Sequence, residues 1–191
     1  MKIVTLLGSP RKRGNTAAVL EAFERLASQK QHVVERVNAV DWTVGGCLGC
    51  DTCFDTLDEP GCAQNDDADW ILEHILAADL VVYASPVYAW GFTAQLKPLI
   101  DRHYCLVKYQ GDKVASALMA GKRAVLLTTC GGDASDNADL LEGAFRRLLA
   151  YLQSPLAGIY VLDNCGSRPV GASEAGEALA RRMARELLGS E

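Results

Sequence analysis

Residues 45–53, GGCLGCDTC, set Cys47, Cys50 and Cys53 two residues apart, and Cys62 follows after a gap of eight. Thiolates are nucleophiles, redox carriers and soft metal ligands, so this run has a short list of uses. Zinc sites of the ribbon type draw on two separated pairs that close a tetrahedron from opposite sides. Three thiols at this short spacing plus a distant fourth match the corners of a [4Fe-4S] cubane better. Two further readings stand beside it: a loop that keeps its cysteines without a cluster, and a zinc site or reversible dithiol such as Cys50 with Cys53. Asp51, Asp55, Asp58 and Glu59 lie within or beside the loop and would lower the potential of an anionic cluster.

A second constellation is spread over three segments. GSPRKRGNT, residues 8–16, carries Gly8 and Gly14 for a tight turn, polar side chains at Ser9, Asn15 and Thr16, and the planar donor Arg11. Leading into a helix, such a loop presents amides to an anion. Five residues separate its glycines and no Lys follows, so it lacks the pattern of a nucleotide-triphosphate loop, and it is not G-x-G-x-x-G either. SPVYAWGFT, residues 85–93, offers Pro86, Val87 and the flat rings of Tyr88 and Trp90. TTCGGD, residues 128–133, offers Thr129, Cys130 and the bare backbone of Gly131 and Gly132. One phosphate loop and two loops suited to a planar group describe a site for a mononucleotide with a large ring. The competing roles are packing or interface contact for Tyr88 and Trp90, and apolar filling for Cys130.

The elements that must bring these segments together follow from apolar periodicity. Strands are expected at 2–7, 32–37, 80–85, 123–129 and 157–162, and helices at 15–30, 66–78, 93–107, 138–153 and 173–189. Pro98 should bend or shorten the start of the third helix. Stretches 41–65 and 108–121 read as irregular. Apolar strands separated by helices make an α/β doubly wound parallel sheet, whose ligands sit beyond the strands' carboxyl ends. The three polar segments follow the first, third and fourth strands. Residues 1–191 read as a single domain with a cysteine-rich loop at 45–65.

Composition narrows the function. A net charge of −5 gives no general attraction to nucleic acid or an anionic membrane, so a bound phosphate needs local donors. No apolar run approaches a membrane span. The start, MKIVTLLGSPRKRGNT, lacks a small-residue cleavage site after its short apolar run, and a cytoplasmic protein is expected. In that compartment seven cysteines point to metal or redox use rather than a disulfide framework.

Taken in order, GSPRKRGNT, the cysteine loop followed by NDDADW, SPVYAWGFTAQLKPLIDR and TTCGG resemble the flavodoxin-like NAD(P)H-dependent FMN reductases, including their iron-sulfur flavoprotein branch. The resemblance covers about the first two thirds of the chain and implies a three-layer fold with a five-stranded sheet in the order 2-1-3-4-5. It implies noncovalent FMN, its phosphate on Ser9, Arg11, Asn15 and Thr16 of the loop containing Gly14. The isoalloxazine would lie against Pro86, Val87, Tyr88 and Trp90 on one side and Thr129, Cys130, Gly131 and Gly132 on another. NAD(P)H would be a transient co-substrate, and electrons would pass to a quinone, metal ion or nitro-compound, directly or through a [4Fe-4S] centre on Cys47, Cys50, Cys53 and Cys62. The alternatives are an electron carrier reduced by ferredoxin and a ligand-binding or regulatory module on the same fold. A homodimer or homotetramer is implied, with the loop 85–93 aromatics as partner contacts. The gap of eight before Cys62 departs from the family pattern. No acid–base residue is assigned, because the flavin carries the chemistry and His32, His74 and His103 lie outside the three loops.

Overall fold

The computed structural model describes residues 1–166 and 169–189. Five strands, β1 (Lys2–Leu7), β2 (Val33–Asn38), β3 (Leu80–Pro86), β6 (Arg123–Thr129) and β7 (Leu156–Leu162), form one parallel sheet in the order β2-β1-β3-β6-β7. Between β3 and β6 lies a separate antiparallel hairpin of β4 (Val107–Gln110) and β5 (Lys113–Ala117). Counting only the main sheet, the order is the expected 2-1-3-4-5.

The strands are apolar on both faces because both are covered. Ile3, Leu7, Leu80, Val82, Ala84, Val125 and Leu127 point into a core closed by α1 (Asn15–Gln29) and α6 (Glu174–Leu188). Their neighbours Val4, Leu6, Val81, Tyr83, Ala124 and Leu126 face a second core under α2 (Ala68–Leu76), α3 (Lys97–Arg102) and α5 (Asp139–Leu152). This alternation is the period-2 geometry of a strand read out on two helical layers. A short helix α4 (Ala134–Asn137) precedes α5, and Asp133 caps it by accepting from Ser135 N at 2.9 Å.

Two expectations are corrected. The helix expected over 93–107 is α-helical only at Lys97–Arg102, and a 3₁₀ turn at His103–Leu106 leads into β4. Pro98 sits in the first turn, where its missing N–H costs nothing, and the residues before Lys97 form a turn in which Leu96 N and Lys97 N donate to Thr93 O at 3.1 and 2.9 Å. The stretch 108–121, expected to be irregular, contains most of the β4–β5 hairpin, whose turn is made by Gly111 at φ +60°. Val107 and Lys108 of this hairpin are fully buried and pack it under the cysteine loop.

His103 is a packing residue, as its place outside the loops suggested. It is buried, its Nδ1 lies 2.7 Å from Leu99 O, and its Nε2 lies 2.7 Å from Tyr83 Oη. Burial pushes its pKa down to about 4. The folded state therefore binds fewer protons than the unfolded state between about pH 6.5 and 4, and stability falls as pH falls through that window. The full difference is ~3 kcal/mol. Urea denaturation should show this slope in the wild type and a flatter one in His103→Gln; parallel pH profiles for the two proteins would refute it.

Candidate functional site: a cleft at the strand ends and a separate thiol pocket

The carboxyl ends of four strands meet along one edge, and backbone hydrogen bonds stitch the loops that leave them. Gly8 N donates to Ala84 O at 2.7 Å, Val87 N to Thr129 O at 2.9 Å, and Cys130 N to Leu162 O at 3.1 Å. The cleft they form has a volume of about 300 Å³, at the small end for a ligand pocket. One wall is the loop before α1. Ser9 Oγ accepts from Arg11 N at 3.1 Å, and Gly14 N donates to Arg11 O at 3.0 Å, which curls residues 9–14 into a turn. Helix α1 starts at this wall, with Asn15 and Thr16 in the lining, so the positive end of its dipole lies at the cleft and suits an anion. Thr16 is buried and shares a 2.7 Å hydroxyl contact with Thr129, tying this wall to the end of β6.

Pro86, Val87 and Tyr88 form the second wall and Thr129, Cys130 and Gly131 the third. A Cβ built at Gly131 meets nothing within 4 Å, so the space beside it is open. The Cys130 thiol is pushed up to about 11, chiefly by burial and then by Asp163 and Cys165, so it stays neutral near pH 7. Tyr88 and Gly91 exchange backbone hydrogen bonds of 3.1 and 3.0 Å across Ala89 and Trp90, at φ +47° and +58°. Two left-handed residues with side chains in a two-residue turn store strain, a feature concentrated at functional loops.

The thiol pocket lies apart from this cleft. Cys47, Cys50, Cys53 and Cys62 all line one cavity of about 20 Å³, together with Cys105, Arg102 and Tyr104. Among the described residues no group of three or more His, Cys, Asp or Glu side chains is disposed to hold a single metal ion. Cys47 and Cys50 are exposed, Cys53 is buried and Cys62 is intermediate. The hydrogen bond from Thr52 Oγ1 lowers the thiol pKa of Cys50, whereas burial raises those of Cys53 and Cys105, the latter to about 12. Asp66 fastens the loop to the fold: it accepts from Gly45 N at 2.8 Å, Ala68 N at 3.0 Å and Arg102 Nη1 at 2.7 Å. Burial opposes its ionisation, but these donors outweigh that and hold its pKa below the usual carboxylate range. A further cavity, of about 530 Å³, flanks Cys62 and is lined in part by Asp58, Glu59, Asp69 and Glu73, which suits no phosphate.

Residues 1–158 match the family model for NADPH-dependent FMN reductases. The chain belongs to this family. Among its relatives is an iron-sulfur flavoprotein from Archaeoglobus fulgidus, 40% identical over 102 residues, or 53% of this chain and 45% of that protein. Another, from Methanosarcina thermophila, is 35% identical over 124 residues, 63% of each chain. The chain thus spans roughly half to two thirds of these relatives. In solved structures its fold recurs in an NAD(P)H:quinone oxidoreductase from Methanothermobacter marburgensis, with TM-score 0.75, 19% identity and 100% and 98% coverage of the two chains. It recurs also in an azoreductase from Bacillus anthracis, with TM-score 0.73, 19% identity and 97% coverage of each.

In this FMN reductase family member, Ser9, Arg11, Gly14, Asn15, Thr16, Pro86, Val87, Tyr88, Thr129, Cys130 and Gly131 line a single cleft. Trp90 and Gly132 do not. The Trp90 indole is exposed and donates to Asp136 O at 3.1 Å, and Gly132 is packed where a Cβ would lie 2.8 Å from Asn137. Cys165 and Gly166, which the sequence reading passed over, complete the lining. They follow β7, so the rule that sites form beyond strand ends, applied to the last strand as well, would have found them. Gly171 is a further support: its N donates to Asn15 Oδ1 at 2.9 Å, and a Cβ there would strike Asn15 O at 2.2 Å.

The thiols differ enough to be told apart chemically. In metal-free protein, brief iodoacetamide treatment near pH 7.5 should label Cys50 first, then Cys47, and spare Cys105 and Cys130. Peptide mapping by mass spectrometry reads this order. Early labelling of Cys105 would contradict the packing described.

Proposed function

We propose that the cleft binds FMN and that the protein is an oxidoreductase taking electrons from NADH or NADPH and delivering them to a small acceptor such as a quinone, metal ion or nitro-compound. The observation that carries this reading is the meeting of the phosphate loop, the aromatic loop and the bare Cys130–Gly131 backbone in one cleft of a family member. Relatives named FMN-dependent NADH:quinone oxidoreductase, one of them in Leptothrix cholodnii, 35% identical over 127 residues, support it.

The fit is chemical as well as spatial. Arg11, the Ser9 hydroxyl and the first amides of α1 are donors for a dianionic phosphate, the one strong anion site an acidic protein of this kind needs. The open face at Gly131 admits a flat ring. Tyr88 and Pro86 cover its other side and limit water, and the neutral Cys130 thiol puts no negative charge against it. Bound FMN supplies hydride acceptance from nicotinamide and one- or two-electron release. The protein supplies position and a dry wall. The exposed Tyr88–Trp90 turn is the surface we assign to contact between subunits of a homodimer or homotetramer.

For the cysteine loop we propose a [4Fe-4S] centre on Cys47, Cys50, Cys53 and Cys62 that exchanges single electrons with the flavin. Support comes from the donor set, four thiols on one cavity, and from the name iron-sulfur flavoprotein carried by relatives. A cubane needs more room than about 20 Å³. Gly46 and Gly49, which flank Cys47 and Leu48 and have open space at their α-carbons, let the two exposed thiols swing outward.

Arg11→Ala should raise the dissociation constant for FMN about 10- to 100-fold, the loss of one or two charge-assisted hydrogen bonds. Fluorescence titration measures it, and unchanged affinity would remove Arg11 from the phosphate site. In stopped-flow mixing, the flavin band should bleach on addition of NADH or NADPH. Bleaching by reduced ferredoxin alone would replace the enzyme with an electron carrier.

A further inference from the structure

Beneath the cysteine loop the hairpin buries a lysine. Lys108 is fully buried, and its Nζ donates to Cys53 O at 2.5 Å and Pro60 O at 2.8 Å. Those carbonyls stand at the third cysteine and two residues before the fourth, so one ammonium grips both ends of the gap of eight. Among the described residues no carboxylate lies within ion-pair distance of Lys108. The neighbouring Arg102 is equally buried. Its Nη1 is held by Asp66 at 2.7 Å and Gly45 O at 3.3 Å, yet its buried Nε and Nη2 have no hydrogen-bond partner. Arg102 lines the thiol cavity. Two cations thus meet one closely bound carboxylate, with Asp69 3.9 Å from Arg102 and half exposed.

Burying a charge without a counter-ion is costly, and a fold that does so needs an anion close by. The groups nearest Lys108 that can become anions are chiefly thiols, Cys105 on the turn before the hairpin and Cys53 and Cys62 on the loop, with Glu59 beside them. Of the loop's carboxylates, Asp58 and Glu59 line the open cavity beside Cys62, Glu59 within electrostatic reach of Lys108, and Asp51 lines the thiol cavity, where it accepts from Tyr104 Oη at 3.2 Å; among the described residues none of the three comes within ion-pair distance of Lys108.

We propose that Lys108 is the buried counter-ion of the thiolate centre: its carbonyl contacts set the spacing of Cys53 and Cys62, and its charge raises the centre's reduction potential. This rests on the [4Fe-4S] reading above. It also answers the departure in the sequence, since the lengthened, acid-rich gap is spanned from beneath by a single cation. Lys108 is a positioning residue; it ligates nothing. Removing its charge stabilises the oxidised form relative to the more negative reduced form, so the potential falls.

The test uses full-length Lys108→Gln, which keeps a neutral donor for the carbonyls, and Lys108→Arg, which keeps the charge. Each is reconstituted anaerobically with iron and sulfide in the presence of FMN, assayed for iron and sulfide per chain, and titrated by EPR-monitored potentiometry. K108Q should show a more negative midpoint for the cluster and an unchanged flavin midpoint, with K108R close to wild type. A merely structural lysine would lower occupancy without moving the midpoint of the occupied fraction, and that result overturns the proposal. Wild-type protein that takes up no iron and sulfide overturns the [4Fe-4S] reading itself, and the counter-ion role with it. Should K108Q not fold, pulsed EPR of the reduced wild type carrying ¹⁵N-lysine decides. Lys108 is the one fully buried lysine among the described residues, so a ¹⁵N coupling supports the proposal and its absence overturns it.

Discussion

The parallel register of β1, β3, β6 and β7 is the constraint on which the cleft depends. Leu7 lies opposite Ala84, Pro86 opposite Thr129 and Thr129 opposite Leu162, so four chains leave the sheet side by side. Their first loop amides keep pairing across the edge, at Gly8, Val87 and Cys130. These bonds leave the loops little freedom to drift apart. A slip of one residue in any pair would turn an apolar side chain out of its core, so the two cores hold the register that the loops require.

The cysteine loop is held by a different kind of force. Residues 45–66 contain little regular structure beyond a 3₁₀ turn at Thr52–Asp55, and the segment contributes few apolar side chains to the core. Charge and hydrogen bonds hold it instead: Asp66 at its far end, Arg102 from α3 and Lys108 from β4. The cleft and the thiol pocket therefore rest on unlike foundations. One is a by-product of sheet packing, while the other is an ionic clamp on an otherwise loose segment, whose two outer thiols remain exposed.

Much of this was legible in the chain. Apolar runs such as KIVTLL, LVVYAS and RAVLLTT could only be strands buried on both faces, and their alternation with amphipathic helices left one sheet type. The residues after β1, β3 and β6 announced themselves by type, because glycines, hydroxyls and an arginine at strand ends have a use there. Cys165 and Gly166 carried no such mark; DNCG resembles an ordinary turn until β7 is seen beside β6. The β4–β5 hairpin was missed because KYQGDKVASA is polar and short, and a small hairpin away from the main sheet leaves a weak period-2 signal.

The sequence by itself determined the layered α/β fold, the strands of the main sheet and the chemical character of the loops that follow them, since these follow from periodicity and residue type, which are local. Tertiary structure alone decided which side chains share a space. It turned Trp90 out of the cleft toward Asp136, brought Cys165 in, and set Lys108, an unremarkable lysine in a polar stretch, beneath the cysteines with its ammonium on the carbonyls of Cys53 and Pro60. The reason is physical. Burial and the pairing of charges are properties of approach between segments far apart in the chain, and no local pattern of residues encodes them.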